Sequence, residues 1–169
     1  MPGRRGEKKT RGLSRRVFLP VAGVVLALDQ ITKYLAVSLL VSGESRPVFP
    51  GAFHLTLIQN QGIAFGLFHD SGAVLFALIT VSIAVLALLG LGTAPARLLT
   101  HAGIGLILGG ALGNWVDRIR VGAVIDFLDF RVWPVFNLAD SAITLGVGLF
   151  LWELVFLKKA GAQRPSHAA

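Results

Sequence analysis

The 169-residue chain is 54% hydrophobic with a formal net charge of +7, and its mean hydropathy of +0.71 is too high for a water-soluble globule of this size, so an integral membrane protein is expected. The absence of cysteine excludes disulfides, thiolate nucleophiles and cysteine-held metal or iron–sulfur centres. The basic residues gather in the two tails rather than among aromatics, which marks them as topology determinants and not as a nucleic-acid surface.

Residues 1–16 hold Arg4, Arg5, Lys8, Lys9, Arg11, Arg15 and Arg16 against one acid, Glu7, with no apolar periodicity. This predicts a disordered basic tail on the cytoplasmic side. Residues 17–41 are apolar over a length well beyond a signal-peptide core and lack a small-residue cleavage site, which predicts a retained first span. Asp29 and Lys33 lie within it, four apart on one helical face, where each offsets part of the other's cost in the membrane. A structural ion pair and a pair lining a polar site are both open readings of that spacing.

Residues 42–71 are polar and broken by Gly and Pro, and alternation from Phe53 to Ile58 predicts a strand in a small extramembrane element. His54 and His69 fall there without a second ligand at metal spacing and read as surface histidines, so no metal or other cofactor is expected. Residues 72–92 form a second span without an ionisable residue. After the loop at 93–97, residues 98–115 form a third, in which Gly105, Gly109 and Gly113 make a small-residue stripe that lets another helix approach closely. His101, near the inner end, reads as interfacial. Residues 116–134 are a second outer connection with a possible strand at Val121 to Phe127. Residues 135–157 are the fourth span and 158–169 a second tail.

Four spans place both termini on one side. The tails and the 93–97 loop carry eleven basic residues against four in the outer connections, so the termini are expected in the cytoplasm. At about 1.5 Å of rise per residue, Asp29 lies roughly 20 Å above Arg16, Asn114 roughly 26 Å above Arg97, and Asp140 roughly 27 Å above Lys158. Three helices running in alternating directions thus bring polar groups to one level near the outer face, which predicts a shared polar site. Asn137, Asp140 and Thr144 share a face of the fourth span, and Gly110, Asn114, Asp117 and Arg118 a face of the third. Asp126, in the outer connection, is able to fold back toward Asp140; Asp129, three residues on, competes for that role on the residues alone.

Two carboxyls meeting in a partly dehydrated pocket oppose each other's ionisation and share one proton near neutral pH. Such a pair activates a water with one member while the other polarises a carbonyl and later protonates the leaving amine. With no cysteine, no readable Ser/His/Asp arrangement and no HExxH helix, acid–base activation of water is the economical route to hydrolysis.

The chain resembles bacterial lipoprotein signal peptidase, or signal peptidase II, from about Val17 to Leu157. The residues that carry the resemblance are DQITK at Asp29 to Lys33, NQGIAFG at Asn60 to Gly66, GGALGNWVDR at Gly109 to Arg118, VIDF at Val124 to Phe127 and FNLADSAI at Phe136 to Ile143. The long basic amino tail is the least family-like part. The resemblance implies catalytic roles for Asp126 and Asp140 and favours Asp126 over Asp129. It implies that Asn60, Asn114, Arg118 and Asn137 line the site and position substrate, with Asp29, Lys33 and Asp117 supporting it. It further implies a multi-pass enzyme of the bacterial inner membrane, monomeric, with its active site near the outer face. Its substrates would be prolipoproteins, cut on the amino side of a diacylglyceryl-modified cysteine. Phe65, Phe68, Phe127, Phe130 and Trp133 fit either a lid over the site or ordinary interfacial anchoring. Competing readings are a small proton- or ion-coupled transporter, because buried Asp/Lys pairs also mark proton pathways, and a non-catalytic assembly subunit.

Overall fold

The computed structural model describes residues 3–61, 72–92 and 98–162. Expectations for 62–71, 93–97 and 163–169, including those for Phe65, Phe68 and His69, lie outside the described residues. In chain order the elements are α1 (Gly3–Leu39), β1 (Ser45–Phe49), β2 (Phe53–Asn60), α2 (Gly72–Gly92), α3 (Leu98–Val121), β3 (Val124–Asp129) and α4 (Leu138–Ala162). Among the described residues two stretches, Val17–Leu39 and Leu98–Val121, are long and apolar enough to cross a membrane, and Phe76–Leu91 is a shorter apolar stretch.

The helix α3 is the hub, packing against α1, α2 and α4. Between helices in lipid, hydrophobic burial contributes little and close van der Waals approach with interhelical hydrogen bonds decides association. The glycine stripe supplies that approach on the α1 side. A Cβ on Gly109 would stand 2.6 Å from the carbonyl oxygen of Ala22, and one on Gly113 would run into the carboxylate of Asp29. Near the α1–α3 crossing, Phe18, Ala22, Ile104 and Leu108 form a buried apolar cluster flanked by Ile83, Leu86 and Ala87 of α2.

The three strands form one antiparallel sheet in the order β1-β2-β3. Ala36 at the top of α1 packs with Leu57 of β2 and Phe127 of β3, which seats the sheet on the helical bundle. The register between β2 and β3 shifts between Leu55 and Ile58. Such a bulge reverses the facing of side chains along a strand, and its consequence falls on the site described below.

Several boundaries differ from the sequence reading. The basic stretch expected to be disordered is helical from Gly3; Arg, Lys and Leu are good helix formers, and the helix continues outward from a long apolar segment. The expected third span, ending at 115, runs on to Val121, so Asp117 and Arg118 stand on α3 and not in a connection. The fourth helix begins at Leu138, not 135, because Pro134 precedes it and Phe136 is held in a bridge to Leu128. The strand expected at Val121 to Phe127 spans Val124–Asp129, and β1 was not anticipated. His101, expected at the interface, is buried within the bundle.

Candidate active site

The site forms where the last turns of α1 and α3, the first turn of α4 and strands β2 and β3 meet. Asn137 is the N-cap of α4. Its Oδ1 accepts from the backbone N–H of Asp140 at 2.9 Å, while Asp140 Oδ2 accepts from the backbone N–H of Asn137 at 3.3 Å. This reciprocal pair is a capping box, and it satisfies two backbone donors that a helix start would otherwise leave unpaired. A third donor, the N–H of Ala139, goes to Asp29 Oδ1 at 2.9 Å, so α1 reaches across and closes the same helix end. Asp140 in the first turn is further favoured by the positive end of the helix dipole.

Asp126 arrives from β3. Its Oδ1 accepts from Asn137 Nδ2 at 2.6 Å and its Oδ2 from Asn60 Nδ2 at 3.0 Å. Asn60 is the last residue of β2, and Asp126 stands opposite Ile58, so donor and acceptor occupy the same face of the sheet two positions apart. Asp126 and Asp129, three apart on one strand, face opposite sides. Asp129 Oδ2 accepts from Thr56 Oγ1 at 2.7 Å and from Arg131 Nη1 at 3.1 Å, and its Oδ1 from the Arg131 backbone N–H at 2.8 Å. Thr56 and Asn60 would share one face of a regular strand. The bulge between Leu55 and Ile58 lets Thr56 serve Asp129 while Asn60 serves Asp126. Among the described residues Asp129 shares no hydrogen bond with the Asn114–Asn137 cluster, and the Thr56 hydroxyl first, then Arg131, hold its carboxyl below the usual carboxylate range.

Asn114 joins the helices. Its Nδ2 donates to Asp140 Oδ1 at 2.8 Å, and its Oδ1 accepts from Lys33 Nζ at 2.8 Å and Asn137 Nδ2 at 3.1 Å. Lys33, only 1% exposed, also pairs with Asp29 at 2.9 Å and with Asp117 at 2.7 Å. One ammonium therefore spends its three donors on two carboxylates and an amide, the condition under which a buried charge is tolerated. The backbone N–H of Ile125 donates to Asp117 at 3.2 Å, which ties β3 to α3 immediately beside Asp126.

The expected site residues Asp29, Lys33, Asn60, Asn114, Asp117, Asp126, Asn137 and Asp140 are thus one connected set. Arg118 stands apart in its contacts. It donates to the carbonyl of Asn114 at 3.2 Å and lies within electrostatic range of Asp140 and Asp126 without hydrogen-bonding either. The sequence reading missed Gln30, whose Nε2 donates to Asp117 Oδ1 at 3.0 Å and to the Gly113 carbonyl at 3.2 Å. Its place one residue after Asp29 was the available signal. Also missed was a contact at the opposite end of the bundle, where Thr100 donates to the buried Glu153.

Burial raises the Asp126 carboxyl to about 6, with the charge of Asp140 pushing the same way; Asn60, Asn137 and Lys33 pull it back only in part. Asp126 therefore exchanges a proton close to neutral pH. Asp140 presents both oxygens as acceptors in a neighbouring position, linked to Asp126 through the single amide of Asn137. Among the described residues no group of three or more His, Cys, Asp or Glu is placed to hold a metal ion. The arrangement can take a proton from a water and return one to a leaving group, which is acid–base hydrolysis.

Fold and acid pair together define a helical enzyme of the aspartic-peptidase type. Comparison with known proteins gives the same class. The family profile described as signal peptidase (SPase) II matches residues 21–156. A lipoprotein signal peptidase of Pelotomaculum thermopropionicum is 49% identical over 136 residues, covering 80% of this chain and 89% of that protein. Another, of Moorella thermoacetica, is 47% identical over 147 residues, covering 86% and 96%. A bacterial membrane enzyme solved by the in meso method at 2.3 Å resolution superposes with a TM-score of 0.77 at 30% identity, covering 94% of this chain and 95% of that one. The chain belongs to the signal peptidase II family.

Proposed function

We propose that the protein is a membrane-embedded aspartic endopeptidase that removes signal peptides from prolipoproteins, cutting on the amino side of a diacylglyceryl-modified cysteine, with Asp126 and Asp140 as its catalytic pair. The observation that carries this reading is the bridge Asp126–Asn137–Asp140, which holds two carboxyls in one dehydrated cluster while leaving Asp126 able to exchange a proton near pH 6. The pair shares one proton: the member without it takes a proton from the attacking water, the member carrying it donates to the scissile carbonyl oxygen, and the pair then protonates the leaving amine. Asn60, Asn114 and Asn137 keep both carboxyls oriented. Arg118, close to both acids but bonded to neither, is free to bind a substrate carbonyl.

The membrane arrangement proposed is four spans, with both termini cytoplasmic and the sheet outside. It is supported by eleven basic residues in the tails and the 93–97 loop against four on the proposed outer side, Arg118 and Arg120 at the end of α3 and Arg46 and Arg131 beyond the helices. It is also supported by apolar side chains left exposed along the helices, such as Leu78, Val81, Val85 and Leu88 on α2 and Leu151, Trp152 and Val155 on α4. In that placement the acid pair lies near the outer boundary of the hydrocarbon, where a diacylglyceryl group would hold the scissile bond. The family relationship speaks against the transporter reading, which would need a relay through the bilayer.

The test is cleavage of one precursor, lipidated and unlipidated, by the purified protein in detergent. Cleavage before the modified cysteine of the lipidated form, with little or none of its twin, is expected. Equal cleavage of both, or a cut elsewhere, would reject the substrate assignment.

A further inference from the structure

Behind the acid pair, on the far side of the Lys33 ion cluster, a cavity of about 160 Å³ opens between α1, α3 and the sheet. Its floor is polar, formed by Lys33 and Asp117, and its walls are largely apolar, with Val37 and Tyr34 from α1, Val121 from α3 and Ile125 from β3. Tyr34 is 70% exposed and Val121 half exposed, so these walls continue onto the outer surface of the bundle.

At its edge stands Arg120, in the last turn of α3. It donates to Gln30 Oε1 at a long 3.4 Å, and among the described residues no carboxylate pairs with it. The two nearby acids are already engaged: Lys33 bridges Asp29 and Asp117, and Gln30 donates to both. An exposed guanidinium with unused donors thus sits where an apolar-walled cleft meets the outer boundary of the proposed membrane. A guanidinium matches two phosphate oxygens in a fork, so it suits a phosphodiester better than a neutral or zwitterion-masked headgroup.

We propose that this cleft is a binding site for an anionic membrane phospholipid, its phosphodiester on Arg120 and the first carbons of an acyl chain along Tyr34, Val37 and Val121. The site is separate from the proposed catalytic acids, and Gln30 and Asp117 of its lining also belong to the cluster that supports them. It rests on the membrane placement proposed above.

The probe is phosphatidylglycerol against phosphatidylcholine, titrated into purified protein in micelles and read by native mass spectrometry and thermal unfolding. The wild type is expected to retain phosphatidylglycerol at least tenfold more tightly than phosphatidylcholine. R120Q should abolish that preference, R120K keep part of it, and V121W, which fills the cleft, weaken both lipids. Soluble glycerol phosphate should not compete at millimolar concentration. Equal retention of the two lipids by the wild type, an unchanged preference in R120Q, or full competition by glycerol phosphate would overturn the proposal. R120Q should cleave a lipidated precursor in lipid-free detergent at the wild-type rate. Failure of the wild type to cleave would count against the peptidase reading, while the lipid preference reports on this site independently.

Discussion

Asn114 has two ends that cannot be exchanged. Lys33 can only donate, so the Asn114 carbonyl must face it, and the amide NH₂ is thereby turned toward Asp140. One buried ammonium in this way sets the polarity of the bond that Asn114 makes to Asp140. Replacing Lys33 by Met removes that control and leaves Asp29 and Asp117 buried without a counter-charge, a loss of about 3–5 kcal/mol. Denaturant unfolding of K33M in micelles checks this, and wild-type stability would contradict it. Asp126 makes the opposite kind of prediction. Its folded pKa, about 6, lies above the ordinary 3.8, so the folded protein binds the extra proton between those values. Stability from this group is therefore full below about pH 4 and falls by about 3 kcal/mol as pH rises to about 6. D126N lacks the group. The stability difference between variant and wild type should shift in the variant's favour by about that amount between pH 4 and 7, and parallel curves would show that Asp126 is not desolvated as described.

At the scale of elements, the start of α4 carries most of the consequence. Asn137 and Asp140 form its capping box and Asp29 supplies a further cap from α1, so the helix end and the geometry of the proposed catalytic pair are one structure. The Asn–x–x–Asp spacing was legible in the sequence, yet the helix was read from 135, because an apolar run gives no sign that Phe136 is held by Leu128. Common depth was legible too: arithmetic on Asp29, Asn114 and Asp140 anticipated contacts that are now 2.8 Å and 2.9 Å long. What could not be read was the bulge that assigns Thr56 to Asp129 and Asn60 to Asp126, since it depends on pairing between strands some 70 residues apart. The glycine stripe was legible and its partner helix was not. A side chain at Gly109 meets the Ala22 backbone, which cannot yield as a flexible side chain can. G109V should therefore lose about 3 kcal/mol or fail to fold, read as the yield of monodisperse protein after detergent extraction; normal yield and thermal stability would contradict the close α1–α3 approach.

For the whole molecule, the absence of cysteine makes the proposed orientation directly measurable. A52C, in the β1–β2 turn, should react with a membrane-impermeant maleimide in intact cells, whereas S14C, on the basic stretch, should react only after lysis. The reverse pattern would invert the topology. The proposed chemistry requires Asp126 and Asp140 to act as a unit across Asn137. The most direct measurement is cleavage of a lipidated precursor by D126N, D140N and the double variant, each confirmed as folded. Each single variant should lose at least about a thousandfold in kcat/KM, with the double variant no worse than either; substantial turnover by either single variant, or losses that multiply in the double, would contradict a coupled acid pair.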